Sequence, residues 1–235
     1  MDRFATRTGR SPLNFTEIAL LVIPIVIAVT FHEAAHGFVA LFFGDDTAKR
    51  AGRLTLNPLK HVDLFGTIIL PLLLIVSHAG FLFGYAKPVP VNFGALRNPR
   101  WDMLWVAAAG PLMNLALALV STGLLYGVAS SVHGSSRMLT EMILLSVQLN
   151  IVLAIFNMLP LPPLDGSKVL AAFLPGSMMR PYLAFGRYGM GLLILLLIVL
   201  PLVSERTGLG LDIFGILVQR PADWLIRGLV GPAGG

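Results

Sequence analysis

Cysteine is absent from this chain, which excludes disulfides, thiolate metal ligands and a thiol nucleophile. Charge is scarce as well: 12% of the residues are charged against 56% apolar, where an ordinary soluble domain carries about a quarter charged. With a mean hydropathy of +0.81, that excludes a soluble globular domain and points to an integral membrane protein. Histidine is limited to five residues, too few for the many-histidine ligand set of a membrane di-iron desaturase. No stretch interleaves aromatic and basic side chains as nucleic-acid binding requires. The 17 Lys and Arg, for a net charge of +5, gather in the polar connections, a pattern that fits anionic lipid and topology signals.

What is present is a set of long apolar runs in one domain of 235 residues. The fold class expected is an all-α polytopic membrane protein, a helical bundle with a re-entrant or extended membrane-associated segment, its catalytic core at about 15–172 and C-terminal helices at 183–235. Phe15 to Phe43 is longer than the roughly 20 residues needed to cross the hydrocarbon, so it tilts or extends past the bilayer. Arg3, Arg7 and Arg10 ahead of it look like the start of a secretory signal, but the run is long enough to span and is expected to be retained. Further helices are predicted at Trp101 to Ser130, kinked at Pro111, at Met138 to Leu159, and at Leu183 to Val203. The tail, with Leu211 to Val218 and then Arg220, Asp223, Trp224 and Arg227, reads as interfacial. Lys87-Pro88-Val89-Pro90-Val91-Asn92 has prolines two apart, which argues for extended backbone or an edge strand.

The first run carries His32-Glu33-Ala34-Ala35-His36. On a helix, positions four apart share a face, so both imidazoles can address one metal ion. Glu33 sits beside that face, from where a carboxylate reaches a water without being a ligand itself. Ionisable groups this deep in an apolar helix are costly and point to function. A catalytic zinc takes three protein ligands, and two histidines leave one missing. Among His61, His78, His133 and the few acids at membrane depth, Asp165 is the strongest candidate, because Pro160, Pro162 and Pro163 break the helix before it and let the carboxylate aim inward. Glu141 is the rival.

The densest basic connection, Lys49, Arg50, Arg53 and Lys60, marks the end of the first run as cytoplasmic, although the N-terminal arginines oppose this. His36 then lies on the order of 10 Å inside that end. For Asp165 to arrive on the same side, Gly66 to Tyr85 must not change sides, so a re-entrant hairpin is predicted there, turned at Pro71 or Gly80.

His32-Glu33-x-x-His36, Gly110-Pro111-x-x-Asn114 and Asn157-x-x-Pro160-x-Pro162-x-Leu164-Asp165-Gly166 together resemble the site-2 protease family of intramembrane zinc metalloproteases. Arg53-Leu54-Thr55-Leu56-Asn57-Pro58 and Ala86 to Asn92 are similar to stretches of its small bacterial and archaeal members. The resemblance covers about Phe15 to Ala172. It implies that His32, His36 and Asp165 ligate one zinc ion per chain, that Glu33 is the general base, and that Asn157 positions substrate or polarises the scissile carbonyl. The implied substrate is a transmembrane segment of another protein, a single-pass one, cut in or near the bilayer of a prokaryotic plasma membrane. No appended peptide-binding or nucleotide-binding module is expected, and the substrate and oligomeric state stay open.

Opening a substrate helix exposes its backbone, and Val89, Val91 and Asn92 are expected to bind the unwound strand by edge pairing. The plain alternative for that stretch is a proline-stiffened connector. Gly110 and Asn114, one turn apart, read as helix packing. A metal transporter using the same His and Asp set is the competing function, though such proteins spread ligands along several helices.

Overall fold

The computed structural model describes residues 15–63, 66, 69, 86–129, 137–208 and 210–231. Most of the predicted hairpin at Gly66 to Tyr85 lies outside these, as do His78 and His133.

Backbone amides in hydrocarbon have no water to bond, so apolar runs of this length close their hydrogen bonds internally as helices. Helix α1 (Phe15–Phe42) holds the His-Glu-x-x-His set. A single turn, α2 (Thr47–Arg50), follows. Helix α3 (Pro99–Ala129) starts on a proline, where no helical partner for the amide is lost, and Asp102 in its first turn accepts from the Asn98 amide at 2.7 Å. Helix α4 (Arg137–Asn157) returns, and short α5 (Asp165–Phe173) begins on the aspartate itself. The stretches Val22–Phe42, Pro99–Val128 and Arg137–Asn157 are long and apolar enough to cross a membrane. Large apolar side chains such as Val22, Ile27, Leu112, Leu119 and Val120 face outward, where lipid replaces water as solvent.

Among the described residues there is no strand, as an all-α bundle requires. Pro88 to Asn92 has no regular structure, and Asn92 is extended with φ −98° and ψ 91°. Helix α3 continues through Pro111 rather than ending there. The expected helix from Leu183 to Val203 lies within a continuous helical run over 176–207, made of α6 (Gly176–Phe185), a 3₁₀ turn, α7 (Gly189–Ile194), a π-helical turn at Leu195–Val199, and α8 (Leu200–Thr207). The left-handed Gly208, φ +69°, closes it, a conformation glycine adopts without steric cost. In the tail, α9 (Arg220–Val230) buries Ala222 and Val230 against Ala118, Leu125, Val147 and Ile151. That side of α9 is packed onto α3 and α4.

Helix α3 is central, packing on α1, α4 and α5. A second apolar cluster, of Ala40, Leu96, Met103, Val106 and Ala171, joins the end of α1 to the start of α3 and to α5. The three meet at one end of the bundle. Arg97 donates to the Phe42 carbonyl at 2.6 Å, and Arg100 donates to the Ala172 and Leu174 carbonyls at 2.7 and 2.9 Å. The residues on either side of 64–85 also meet, since the Lys87 amide donates to the His61 carbonyl at 2.9 Å and Arg53 donates to the Lys87 carbonyl at 2.8 Å. Helices α1 and α3 are therefore antiparallel, and Asp165 arrives at the same end as His36.

Candidate metal centre

On α1, Ala28, His32 and His36 are four apart; on α3, so are Val106, Gly110 and Asn114. Each triplet lies on one helix face, and the antiparallel faces meet. His36 Nδ1 lies 2.7 Å from the Val106 carbonyl oxygen, and His32 Nδ1 lies 2.6 Å from Asn114 Oδ1. Gly110 faces both rings. A Cβ built there would stand 2.4 Å from His36 Nε2 and 2.6 Å from His32 Nε2, so only glycine lets α3 come this close.

The third arm comes from the proline turn. Asp165 opens α5, where the helix N-terminus favours a carboxylate, and its Oδ2 is 3.2 Å from both His32 Nε2 and His36 Nε2. Its other oxygen is taken by Lys168 Nζ at 3.1 Å. The residue after it must be small, since a Cβ on Gly166 would stand 2.1 Å from the Met158 carbonyl oxygen. His32, His36 and Asp165 are 7%, 8% and 7% exposed. Glu141, the rival, pairs with Arg137 at 2.9 Å on the exposed start of α4, and His61 bonds the Thr55 carbonyl at 2.9 Å.

The donor pattern tests whether a metal fits. A carbonyl oxygen only accepts, so His36 Nδ1 donates to Val106. Asn114 Nδ2 donates to the Ala28 carbonyl and to Asn150 Oδ1, so its Oδ1 faces His32 Nδ1 as an acceptor and that nitrogen also carries the hydrogen. Both Nε2 atoms then present lone pairs to each other, 3.1 Å apart, and to a carboxylate oxygen. Three lone-pair-bearing atoms at 3.1 to 3.2 Å repel unless a cation sits among them. Zinc–ligand bonds of about 2.0–2.1 Å in tetrahedral geometry place the ligands about 3.3 Å apart, within about 0.2 Å of the 3.1 to 3.2 Å found. The chemistry and size of the set fit such an ion.

Glu33 lies outside the triangle. Its Oε2 accepts from the Val89 amide at 2.8 Å. Val89 is buried, and its Cγ1 would meet a Cβ on Gly37 at 3.0 Å. Val91 packs on the second apolar cluster. The Asn92 amide donates to Asp45 Oδ2 at 2.6 Å, and the Asn92 side chain accepts from the Gly94 amide at 3.1 Å. The extended stretch is thus tied to Glu33 in α1 and to Asp45 in the turn beyond its end. Asn157 stands apart from the three ligand atoms in its bonding: its Nδ2 donates to the Leu153 carbonyl of its own helix at 3.0 Å. Sequence reasoning missed Asn150 and Lys168 and took Asn114 for packing; an asparagine in the apolar middle of α4 was the available signal.

A bundle of membrane-length helices that buries two imidazoles and a carboxylate around one point, with a glutamate outside that set beside it, defines the class of membrane metallopeptidases. The chain matches the model of Peptidase family M50 over residues 20–145 and 127–200. It is 42% identical over 209 residues to "Putative zinc metalloprotease YwhC" of Bacillus subtilis, covering 87% of this chain and 88% of that one. It is 29% identical over 188 residues to a protein of the same designation, Rip2 of Mycolicibacterium smegmatis, covering 80% and 70%. Rip2 of Mycobacterium tuberculosis is 31% identical over 163 residues, covering 68% and 59%. No solved structure matches. The chain belongs to peptidase family M50, the site-2 proteases.

Proposed function

We propose that this chain is a zinc endopeptidase that hydrolyses a peptide bond in or near the transmembrane segment of another, single-pass membrane protein, as in regulated intramembrane proteolysis. One zinc ion per chain is held by His32, His36 and Asp165. The observation that carries the reading is the buried triangle of lone-pair-bearing atoms, with edges of 3.1, 3.2 and 3.2 Å, beside the unliganded Glu33. Bound zinc supplies Lewis acidity, lowering the pKa of water to about 7 and offsetting charge on the attacked carbonyl. Glu33 takes the proton of the attacking water and returns it to the leaving nitrogen. The Val89 amide holds one Glu33 oxygen and leaves the other for that proton.

Substrate pairs as an added strand with the Val89, Val91 and Asn92 stretch. The amides of Val89 and Asn92 are engaged by Glu33 and Asp45, and prolines occupy 88 and 90, so pairing falls to the Val91 amide and the carbonyls. Asn157 exchanges its bond to Leu153 for one to substrate. The basic residues after α1 favour an active site nearer the cytoplasmic face of a prokaryotic plasma membrane.

The test is substrate trapping in native membranes with Glu33→Gln. That variant is expected to keep one zinc per chain, lose about 10²–10⁴-fold in cleavage, and capture a membrane protein that the active enzyme then cuts within its transmembrane segment. Wild-type protein without stoichiometric zinc, or a Glu33→Gln variant that cleaves at the wild-type rate, overturns the reading.

A further inference from the structure

Asn150 lies in the apolar middle of α4 and is 1% exposed. A buried amide among membrane helices has to find partners. Its Nδ2 donates to the Ser146 carbonyl at 2.9 Å, and its Oδ1 accepts from Asn114 Nδ2 at 2.9 Å. It touches none of the three ligand atoms. The sequence of donors and acceptors nevertheless runs to them.

The direction of that sequence is set at its far end. The Ser146 carbonyl only accepts, so Asn150 turns its NH₂ toward Ser146 and its oxygen toward Asn114. Asn114 must answer with its own NH₂, which also donates to the Ala28 carbonyl at 3.2 Å. That leaves Asn114 Oδ1 for His32 Nδ1, 2.6 Å away. An acceptor there puts the ring hydrogen on Nδ1 and bares Nε2. With Asn114 turned over, an N–H would face Nδ1, the other tautomer would be favoured, and a hydrogen would occupy the atom that faces His36 and Asp165. The Ala28 carbonyl resists that reversal at the longer distance, and in an α-helix it is already the acceptor of the His32 backbone amide four residues on. Asn150 supplies the shorter bond.

We infer that Asn150 is a positioning residue for the metal centre, acting through Asn114 to hold the His32 tautomer that leaves Nε2 bare for the ion. The inference rests on the zinc reading above. Outer partners of metal-bound histidines typically contribute 10–100-fold in affinity.

The experiment measures the zinc dissociation constant of the purified full chain by chelator competition, for wild type, Asn150→Leu, Asn114→Leu and the double variant. Asn150→Leu is expected to weaken zinc by about tenfold or more, Asn114→Leu by at least as much, and the double variant no further than Asn114→Leu alone. A residue that merely packed α4 would add its effect in full on the Asn114→Leu background. Asn150→Ser, too short to reach Asn114, is measured in the same way if the leucine variant does not fold. Asn150 variants that bind zinc as wild type does, or penalties that add in full, overturn the inference while leaving the zinc reading intact. Wild type that binds no zinc removes that reading, and the inference with it.

Discussion

Adding one methyl group at Gly110 tests the closeness of α1 and α3 directly. The new Cβ would stand 2.4 Å from His36 Nε2 and 2.6 Å from His32 Cε1 and Nε2, where ordinary contact begins at 3.4 Å. Relief takes about 1 Å, the difference between 3.4 and 2.4 Å. Neither ring swings away freely, because each is tied through Nδ1 to α3 itself, at Val106 and Asn114. The strain must part the helices or break those bonds. Overpacking of this kind costs about 1–3 kcal/mol, and a 1 Å misplacement at a reaction centre can cost about 10²-fold in rate. Gly110→Ala is therefore expected to fold with a lowered thermal midpoint in detergent, to hold less than one zinc per chain by elemental analysis, and to cleave a trapped substrate about 10²-fold more slowly. A Gly110→Ala protein that holds stoichiometric zinc with wild-type affinity and cleaves at the wild-type rate would refute the argued geometry.

Asp165→Ala should abolish zinc binding, whereas Glu141→Ala, altering an exposed pair with Arg137, should leave it unchanged; elemental analysis of both decides between the two carboxylates. Val89→Pro removes the amide that Glu33 accepts from, so cleavage should fall about tenfold or more with zinc retained. Val91→Pro should raise KM by removing the amide offered to substrate, and normal cleavage by both variants would discard strand pairing. At Asp45, burial pushes the carboxyl up, but hydrogen bonds from the Thr47 hydroxyl and amide and the Asn92 amide, with Arg50 nearby, outweigh it and hold the group below its ordinary range. Because the folded-state value is depressed, the clasp stabilises fully above about pH 4 and is lost as pH falls through the folded value. Thermal midpoints should accordingly drop more steeply below about pH 4 for wild type than for Asp45→Asn. Equal acid slopes would contradict this.

The candidate metal set, His32, His36 and Asp165, is legible in the sequence because two of its members are local. His32 and His36 share a helix face by spacing alone, and the depth of the apolar run around them made a bland reading expensive. Asp165 is preferred to Glu141 in the sequence because Pro160, Pro162 and Pro163 break the helix before it, and the contacts of Arg97 and Arg100 with the ends of α1 and α5 agree with the level that a parity argument asks of it. The expected helix from Leu183 to Val203 lies within a continuous helical run, and what composition does not register is the 3₁₀ and π turns inside that apolar stretch. The reading of Gly110 and Asn114 as helix packing holds, since Gly110 lets α3 close on α1 and Asn114 bridges to Ala28 and Asn150, but spacing says only that the two face one way, not that they face the histidines.

From its order of residues alone, this protein is committed to long membrane helices, to a pair of imidazoles on one face, and to a carboxylate after a proline turn, because hydropathy, helical period and proline stereochemistry act within a few residues. Only the tertiary structure decides that Val106, Gly110 and Asn114 meet that face, that Asn150 orients Asn114, and that the Val89 amide holds Glu33. Those are hydrogen bonds and close approaches between segments 36 to 82 residues apart, and no local pattern encodes which distant donor meets which acceptor.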